Sequence, residues 1–283
     1  MSSADSPGEL ATPQLTDKEW EQAERRRAVP VLVVHEAVRM QGDEELERPA
    51  QALAWSGVAA GLSMGASLIV EGVLRSRLPD APWRPLLQHL GYPIGFLMLI
   101  VGRQQLFTEN TVTAIVPLLS HRDWPTFWKV VKLWSVVLCA NLVGAHIAAW
   151  TLSNTPIFAP DVRHAFDEIA REAIDVTFTT AILKGIVAGW LIAMMVWMLA
   201  AVRVSQLFIV LLMTYVVGIS TLTHIIAGSI EALFLVFNGT ISWWRFAGGY
   251  AAPTLLGNII GGVSLVSVLN HAQVVAGQEQ KQS

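Results

Sequence analysis

Gly102-Arg103-Gln104-Gln105-Leu106-Phe107-Thr108-Glu109-Asn110 and Gly218-Ile219-Ser220-Thr221-Leu222-Thr223-His224-Ile225-Ile226 are two versions of one pattern. Laid over each other on their first glycines, Gly102 meets Gly218, Leu106 meets Leu222 and Thr108 meets His224. Each interrupts an apolar stretch, residues 88–119 and 205–238, that is longer than the roughly 20 residues one membrane helix needs. Each is followed, 33 residues after Thr108 and 34 after His224, by a matching segment: Ala140-Asn141-Leu142-Val143-Gly144-Ala145, then Gly257-Asn258-Ile259-Ile260-Gly261-Gly262. A duplicated half with a broken helix in each copy is a transport design. Irregular backbone survives at membrane depth only where protein or a water-filled cavity surrounds it.

Composition agrees. The chain of 283 residues is 53% hydrophobic and 14% charged, with a mean hydropathy of +0.49; a soluble domain carries about 25% charged residues. Many of the charges fall in the first fifty residues. A net charge of −3 gives no reason to expect a nucleic-acid partner. The single Cys139 excludes a disulfide framework and a cysteine metal site. His121, His164 and His271 lack metal-ligand spacing, no phosphate-binding glycine loop is present, and Ser220 with His224 lacks an acidic third member. Neither a cofactor nor an enzymatic activity is expected.

Outward from the breaks, six apolar stretches emerge: residues 51–74, 88–119, 126–151, 176–201, 205–238 and 246–270. Gly57-Val58-Ala59-Ala60-Gly61 in the first repeats as Gly185-Ile186-Val187-Ala188-Gly189 in the fourth. The expected fold is an all-α membrane protein of six spans in two three-span halves, with the second and fifth spans broken. An odd number of spans per half inverts the copies and sets a pseudo-two-fold axis in the membrane plane. The small residues Gly57, Gly61, Gly102, Gly144, Gly185, Gly189, Gly218, Gly261 and Gly262 are candidate points of close helix approach.

Residues 1–47 form a polar N-terminal segment, 48–272 the pore domain and 273–283 a tail. Residues 1–14 are Ser/Pro/Ala-rich; Thr16 with Glu19 fits a capping box that starts a helix, and residues 31–40 fit a short amphipathic helix. Asp43 offers a cap for the first span. With both termini cytoplasmic, that side collects eleven Lys and Arg against six opposite, which favours this orientation in a cell inner (plasma) membrane. Trp243-Trp244-Arg245 reads as an interfacial anchor.

At Leu106-Phe107-Thr108, Asn141-Leu142-Val143-Gly144, His224 and Gly257-Asn258-Ile259-Ile260-Gly261-Gly262, the chain resembles the formate/nitrite transporter family. The likeness spans about residues 48–270 and implies an aquaporin-like six-helix protomer. It further implies a homopentamer in the lipid bilayer, with one pore per protomer for small monovalent anions such as formate, nitrite or hydrosulfide. It also implies hydrophobic constrictions above and below a central histidine, at Tyr92, Phe96, Leu106 and Val217. The chain departs from the family pattern in several places. Glu109 and Asn110 follow Thr108; the lysine ahead of the fourth span is missing, with Ala173 near its place and Arg171 close by; Gly189 stands for a pore asparagine; Arg103 and Lys184 lie at membrane depth.

His224 is the foremost candidate, because an ionisable residue inside an apolar span is functional by default and an imidazole exchanges protons near neutral pH. The alternative is a buried histidine bonded to backbone freed by the break. Thr108 offers a hydroxyl to a carboxylate or to His224, or else satisfies its own backbone. Tyr92 and Phe96 share a helix face at i and i+4, either as a constriction or as plain core. Asn141 and Asn258 are expected to bond backbone freed at the breaks, with pore lining as the other reading. Arg103 is expected to pair with Glu109 across the break, with Glu231 as another partner; Lys184 is a second deep cation. Besides the anion pore, a neutral-solute channel and a non-transporting membrane scaffold or sensor stay open. The missing Asn-Pro-Ala signatures weigh against the former.

Overall fold

The computed structural model describes residues 15–26, 28–202 and 204–282. The Ser/Pro/Ala-rich stretch 1–14 lies outside the described residues. Contacts divide the chain into two units, Met1–Pro30 and Val31–Ser283. All regular structure among the described residues is helical.

The first unit contributes α1 (Asp17–Arg26). Its start follows the capping box: Glu19 Oε2 accepts from the Thr16 backbone N–H (2.8 Å) and from the Thr16 hydroxyl (2.7 Å). Those two bonds, the backbone one first, hold the Glu19 carboxyl below its usual range.

The second unit opens with α2 (Val31–Glu47). Asp43 does not cap the first span. The helix runs past it and breaks at Arg48–Pro49, because proline lacks the N–H that would continue the ladder and restricts the residue before it. The Asp43 carboxylate instead accepts from Arg39 Nη1 (2.5 Å) and contacts His121 Nε2 (3.0 Å).

Then come α3 (Ala50–Arg77), α4 (Arg84–Gln88), α5 (Pro93–Val101), α6 (Asn110–Thr113), α7 (Ile115–His121) and α8 (Trp124–Asn154). A matching series follows α9 (Pro160–Ile174): α10 (Phe178–Ala201), α11 (Gln206–Ile219), α12 (Ile225–Phe237), α13 (Ala252–Ile260) and α14 (Leu269–Gln282). π-helical turns at Arg245–Ala251 and Gly261–Val268 flank α13. Among the described residues, four helices are long and apolar enough to cross a membrane: Ala50–Arg77, Trp124–Asn154, Phe178–Ala201 and Arg245–Val274. Between them lie two interrupted pairs of shorter apolar helices, α5 with α6–α7 and α11 with α12. Starts are set locally: Asp123 Oδ1 accepts from Thr126 N (2.7 Å) to begin α8, and Thr177 Oγ1 accepts from Thr180 N (3.2 Å) to begin α10.

Packing repeats as well. α3 packs on α8 as α10 packs on α13. Glycines set how close they come: a side chain on Gly61 would collide with the Asn141 carbonyl, and one on Gly189 with the Asn258 carbonyl. α5 packs on α11 between the halves, and α12 lies against α8 and α9. Exposed Trp55, Trp128, Trp150, Leu183 and Phe208 present an apolar exterior suited to lipid or a neighbouring protein. Trp244 is exposed beside Arg245, whose guanidinium donates to the Ile174 carbonyl (3.1 Å).

α9 does not figure in the sequence reading, although Val162, Ala165, Phe166, Ile169 and Ala170 carry its 3.6-residue periodicity. That face is buried, with Phe166 edge-on to Phe234 of α12 (centroids 6.0 Å apart).

Candidate permeation site

The two breaks have the same backbone. At the first, Gly102 N donates to Met98 O, Arg103 N to Ile100 O and Gln104 N to Leu99 O; at the second, Ser220 N donates to Val216 O, Thr221 N to Gly218 O and Leu222 N to Val217 O. Arg103 (φ 53°) and Thr221 (φ 48°) both take the left-handed conformation. This corrects the register read from the glycines by two residues. Arg103 stands where Thr221 stands, Gln105 matches Thr223, and His224 corresponds to Leu106 rather than to Thr108. The turn demands one left-handed residue, and neither copy spends a glycine on it, so the glycines were a false guide.

Asn141 and Asn258 clamp the chain just beyond each turn. Asn141 Oδ1 accepts from Phe107 N (2.9 Å), and its amide donates to Gly57 O (2.9 Å) and Gln105 O (2.8 Å). Asn258 Oδ1 accepts from Ile225 N (2.9 Å), and its amide donates to Gly185 O (2.9 Å) and Thr223 O (3.0 Å). Each fully buried amide thus satisfies one N–H and one C=O that the break leaves without a helical partner, and ties them to a carbonyl of the neighbouring continuous helix, α3 or α10.

The breaks converge on Thr108 and His224, whose Oγ1 and Nε2 lie 2.9 Å apart, both buried. His224 caps α12: its Nδ1 accepts from the Ala227 backbone N–H (3.2 Å). An amide N–H can only donate, so Nδ1 carries no proton, and the neutral ring has its proton on Nε2. That proton is donated to Thr108 Oγ1, which leaves the Thr108 hydroxyl hydrogen available to another acceptor. Thr111 Oγ1 donates to the Thr108 carbonyl (2.7 Å) and fixes its turn.

Apolar side chains close the surroundings. Phe96 stands edge-on to His224 (5.2 Å between centroids) and Tyr92 follows it at 5.5 Å, so the i, i+4 face points to the imidazole. Leu106 and Val217 are fully buried. Phe107 turns toward α8 and meets Trp134 at 5.7 Å.

A cavity of about 50 Å³ opens beside His224, lined among others by Tyr92, Gly218, Thr221, Leu222, Glu231 and Tyr250. A wider one of about 610 Å³ opens near the first turn, lined by Glu45, Arg48, Arg103, Gln104, Gln105, Glu109 and Val210 among others. Both Arg103 and Glu109 line the wide cavity, yet they form no ion pair. The left-handed backbone at Arg103 sends its side chain to an exposed position, while Glu109 Oε1 is buried without a hydrogen-bond partner. Nor does Arg103 pair with Glu231. Lys184 Nζ donates to Thr221 Oγ1 (3.0 Å) at the second turn.

Long apolar helices, two interrupted ones meeting at a polar pair, and a cavity on each break define a polytopic membrane protein built around an internal passage. The chain belongs to the formate/nitrite transporter family, whose model, "Formate/nitrite transporter", matches residues 33–272. It is 43% identical over 257 residues to "Inner membrane protein YfdC" of Escherichia coli (strain K12), covering 91% of this chain and 83% of that one. It is 22% identical to "Uncharacterized transporter YrhG" of Bacillus subtilis (strain 168), over 83% of this chain and 90% of that one. Among solved structures it is similar in fold to a "Pentameric formate channel with formate bound" (TM-score 0.67, 20% identity, 80% of this chain and 98% of that one). An "FNT family ion channel" matches with the same TM-score at 16% identity, over 86% of this chain and 96% of that one.

Proposed function

We propose that this chain forms a membrane pore for small monovalent weak-acid anions of the formate, nitrite or hydrosulfide class, with His224 and Thr108 at its centre. The observation that carries the reading is the 2.9 Å contact between Thr108 Oγ1 and His224 Nε2. It leaves one hydroxyl donor near the ring of Phe96, with Leu106 and Val217 as further fully buried apolar residues at the breaks. A bare anion is costly at such a point, whereas the neutral acid passes apolar walls easily. The donor meets the solute's oxygen or sulfur while a proton travels with it. The apolar exterior and the odd count of three spans per half support six spans in inverted halves. A pentameric solved relative supports a homopentamer with one such passage per protomer. The "Inner membrane protein" relative and the positive-charge balance support an inner (plasma) membrane location with both termini cytoplasmic. The driving force is then the solute gradient, the membrane potential or protons, not catalysis.

Flux into proteoliposomes tests this. Wild-type protein is expected to carry formate, nitrite or hydrosulfide and to exclude glycerol, and His224→Phe is expected to change anion preference and pH dependence. Glycerol flux would establish a neutral-solute channel. Intact pentamers silent to every solute would establish a scaffold.

A further inference from the structure

The cavity beside His224 is lined by carboxylates that the weak-acid reading does not use. Glu231 on α12 faces it and is 9% exposed, and it makes no hydrogen bond or ion pair with any described residue. Glu71 on α3 faces it too, at 1% exposure, with Oε1 2.6 Å from His89 Nδ1. The cations nearby are engaged elsewhere. Arg75 donates to Glu168 (2.7 Å), to Glu172 (2.7 and 3.0 Å) and to Gln88 (3.3 Å). Lys184 is held at Thr221.

A buried carboxylate with no partner is costly, and inside a membrane such a group marks a solute path. It repels formate and calls for a small donor of positive charge. The volume limits the size: a water takes about 10–15 Å³ of such space, so about 50 Å³ admits a solute of only a few heavy atoms. Tyr92 and Tyr250 add aromatic walls, which favour an ammonium group over a hydrated metal ion.

We propose that the Glu231–Glu71 cavity binds ammonium or a small primary alkylammonium, and that the passage carries this weak base as well as weak acids. The inference rests on the reading of the passage as one for solutes that cross uncharged. Bound ammonium transfers one proton to the Glu231 carboxylate: an N–H bond breaks, an O–H bond forms, and ammonia and a carboxylic acid result. Ammonia moves past Phe96 and His224 and takes a proton from water in the wide cavity. Glu231 returns its proton to water on its own side.

Uptake of radiolabelled methylammonium into proteoliposomes, with formate uptake measured in parallel, tests the site. Wild-type protein is expected to take up methylammonium at least ten-fold faster than protein-free vesicles, with excess ammonium chloride blocking it and sodium chloride not. Glu231→Gln, checked for pentamers by size exclusion, is expected to lower the ratio of methylammonium to formate uptake at least ten-fold. Wild-type uptake equal to that of protein-free vesicles, equal block by both salts, or an unchanged ratio in Glu231→Gln would overturn the proposal. The wild-type arms decide even if the variant does not fold. Methylammonium uptake without formate uptake would overturn the weak-acid reading and leave this one; the reverse pattern would do the opposite.

Discussion

The first and second breaks share a backbone and differ in chemistry. Both place a non-glycine residue in the left-handed region, and both are clamped by an asparagine through three hydrogen bonds of 2.8–3.0 Å. Yet the first carries Arg103, Gln105 and Leu106 where the second carries Thr221, Thr223 and His224. The first faces a wide cavity that holds both signs of charge; the second faces a small one in which carboxylates predominate. The duplicated backbone therefore sets where the two cavities lie, and the side chains at matched positions give each its own charge and polarity.

The largest expected effect comes from the shared part. Asn141→Ala and Asn258→Ala each strand one N–H and one C=O group in the interior and sever the tie to the neighbouring continuous helix. At about 1–3 kcal/mol per unsatisfied group, each is expected to cost roughly 2 kcal/mol or more and to cut the yield of assembled protein. Thermal unfolding in detergent measures both. Similar losses support equivalent clamps, whereas a loss below about 1 kcal/mol in one variant alone would break the comparison.

Next is the matched pair His224 and Leu106. His224→Leu removes the α12 cap and the Nε2–H bond that aims the Thr108 hydroxyl at the solute. A hydrogen bond worth about 1.5–3 kcal/mol to a charged group corresponds to roughly ten- to hundred-fold in rate at 1.36 kcal/mol per decade. We expect a fall of that order in weak-acid flux. Adding Leu106→His is not expected to restore it. The hydroxyl partner Thr108 lies two residues past Leu106, and the residue two past His224 is Ile226, so the exchanged imidazole has no hydroxyl to meet. Recovery of flux in the double variant would show that the halves are interchangeable.

Gln105 and Thr223 differ in reach. Gln105 Nε2 donates to Glu45 of α2 (2.8 Å), and its Oε1 accepts from Asn110 (3.1 Å), whereas Thr223 Oγ1 donates only to Ala181 O (2.8 Å). Gln105→Ala is expected to cost about 2 kcal/mol and Thr223→Val about 1 kcal/mol. Proteolytic release of the N-terminal segment is expected to quicken in the first variant and not in the second.

These differences mark how far the sequence could be followed. The duplication was legible because asparagines at matched distances and overlong apolar stretches survive in the letters. Its register was not, because the turn's left-handed residue is Arg in one copy and Thr in the other, while the glycines that drew the alignment sit elsewhere. The Arg103–Glu109 pair failed for the same reason: spacing along the chain says nothing of where a left-handed residue aims its side chain. The convergence of Thr108 with His224 was reachable from the inverted-repeat geometry. The Glu71–Glu231 cavity has a signal in the letters, single acids inside apolar stretches of opposite halves, but the sequence offers Glu231 only as an alternative partner for Arg103 and gives Glu71 no role.

The smallest expected effect isolates the turn itself. A side chain in the left-handed region costs about 1–2 kcal/mol, and glycine removes that cost while losing more chain entropy on folding, about 0.5–1 kcal/mol. At Arg103 the side chain is exposed and lies in no ion pair among the described residues, so little offsets the relief. Arg103→Gly is therefore expected to stabilise by about 0.5–1 kcal/mol. At Thr221 the branched side chain is strained more, but its hydroxyl accepts from Lys184 Nζ (3.0 Å), a charged bond worth about 1.5 kcal/mol where partly screened. Thr221→Gly is expected to come out near zero. Unfolding midpoints of the two variants, measured side by side, check the difference. A gain at Thr221 equal to that at Arg103 would mean that the Lys184 bond contributes nothing, leaving Lys184 free to act in the passage instead.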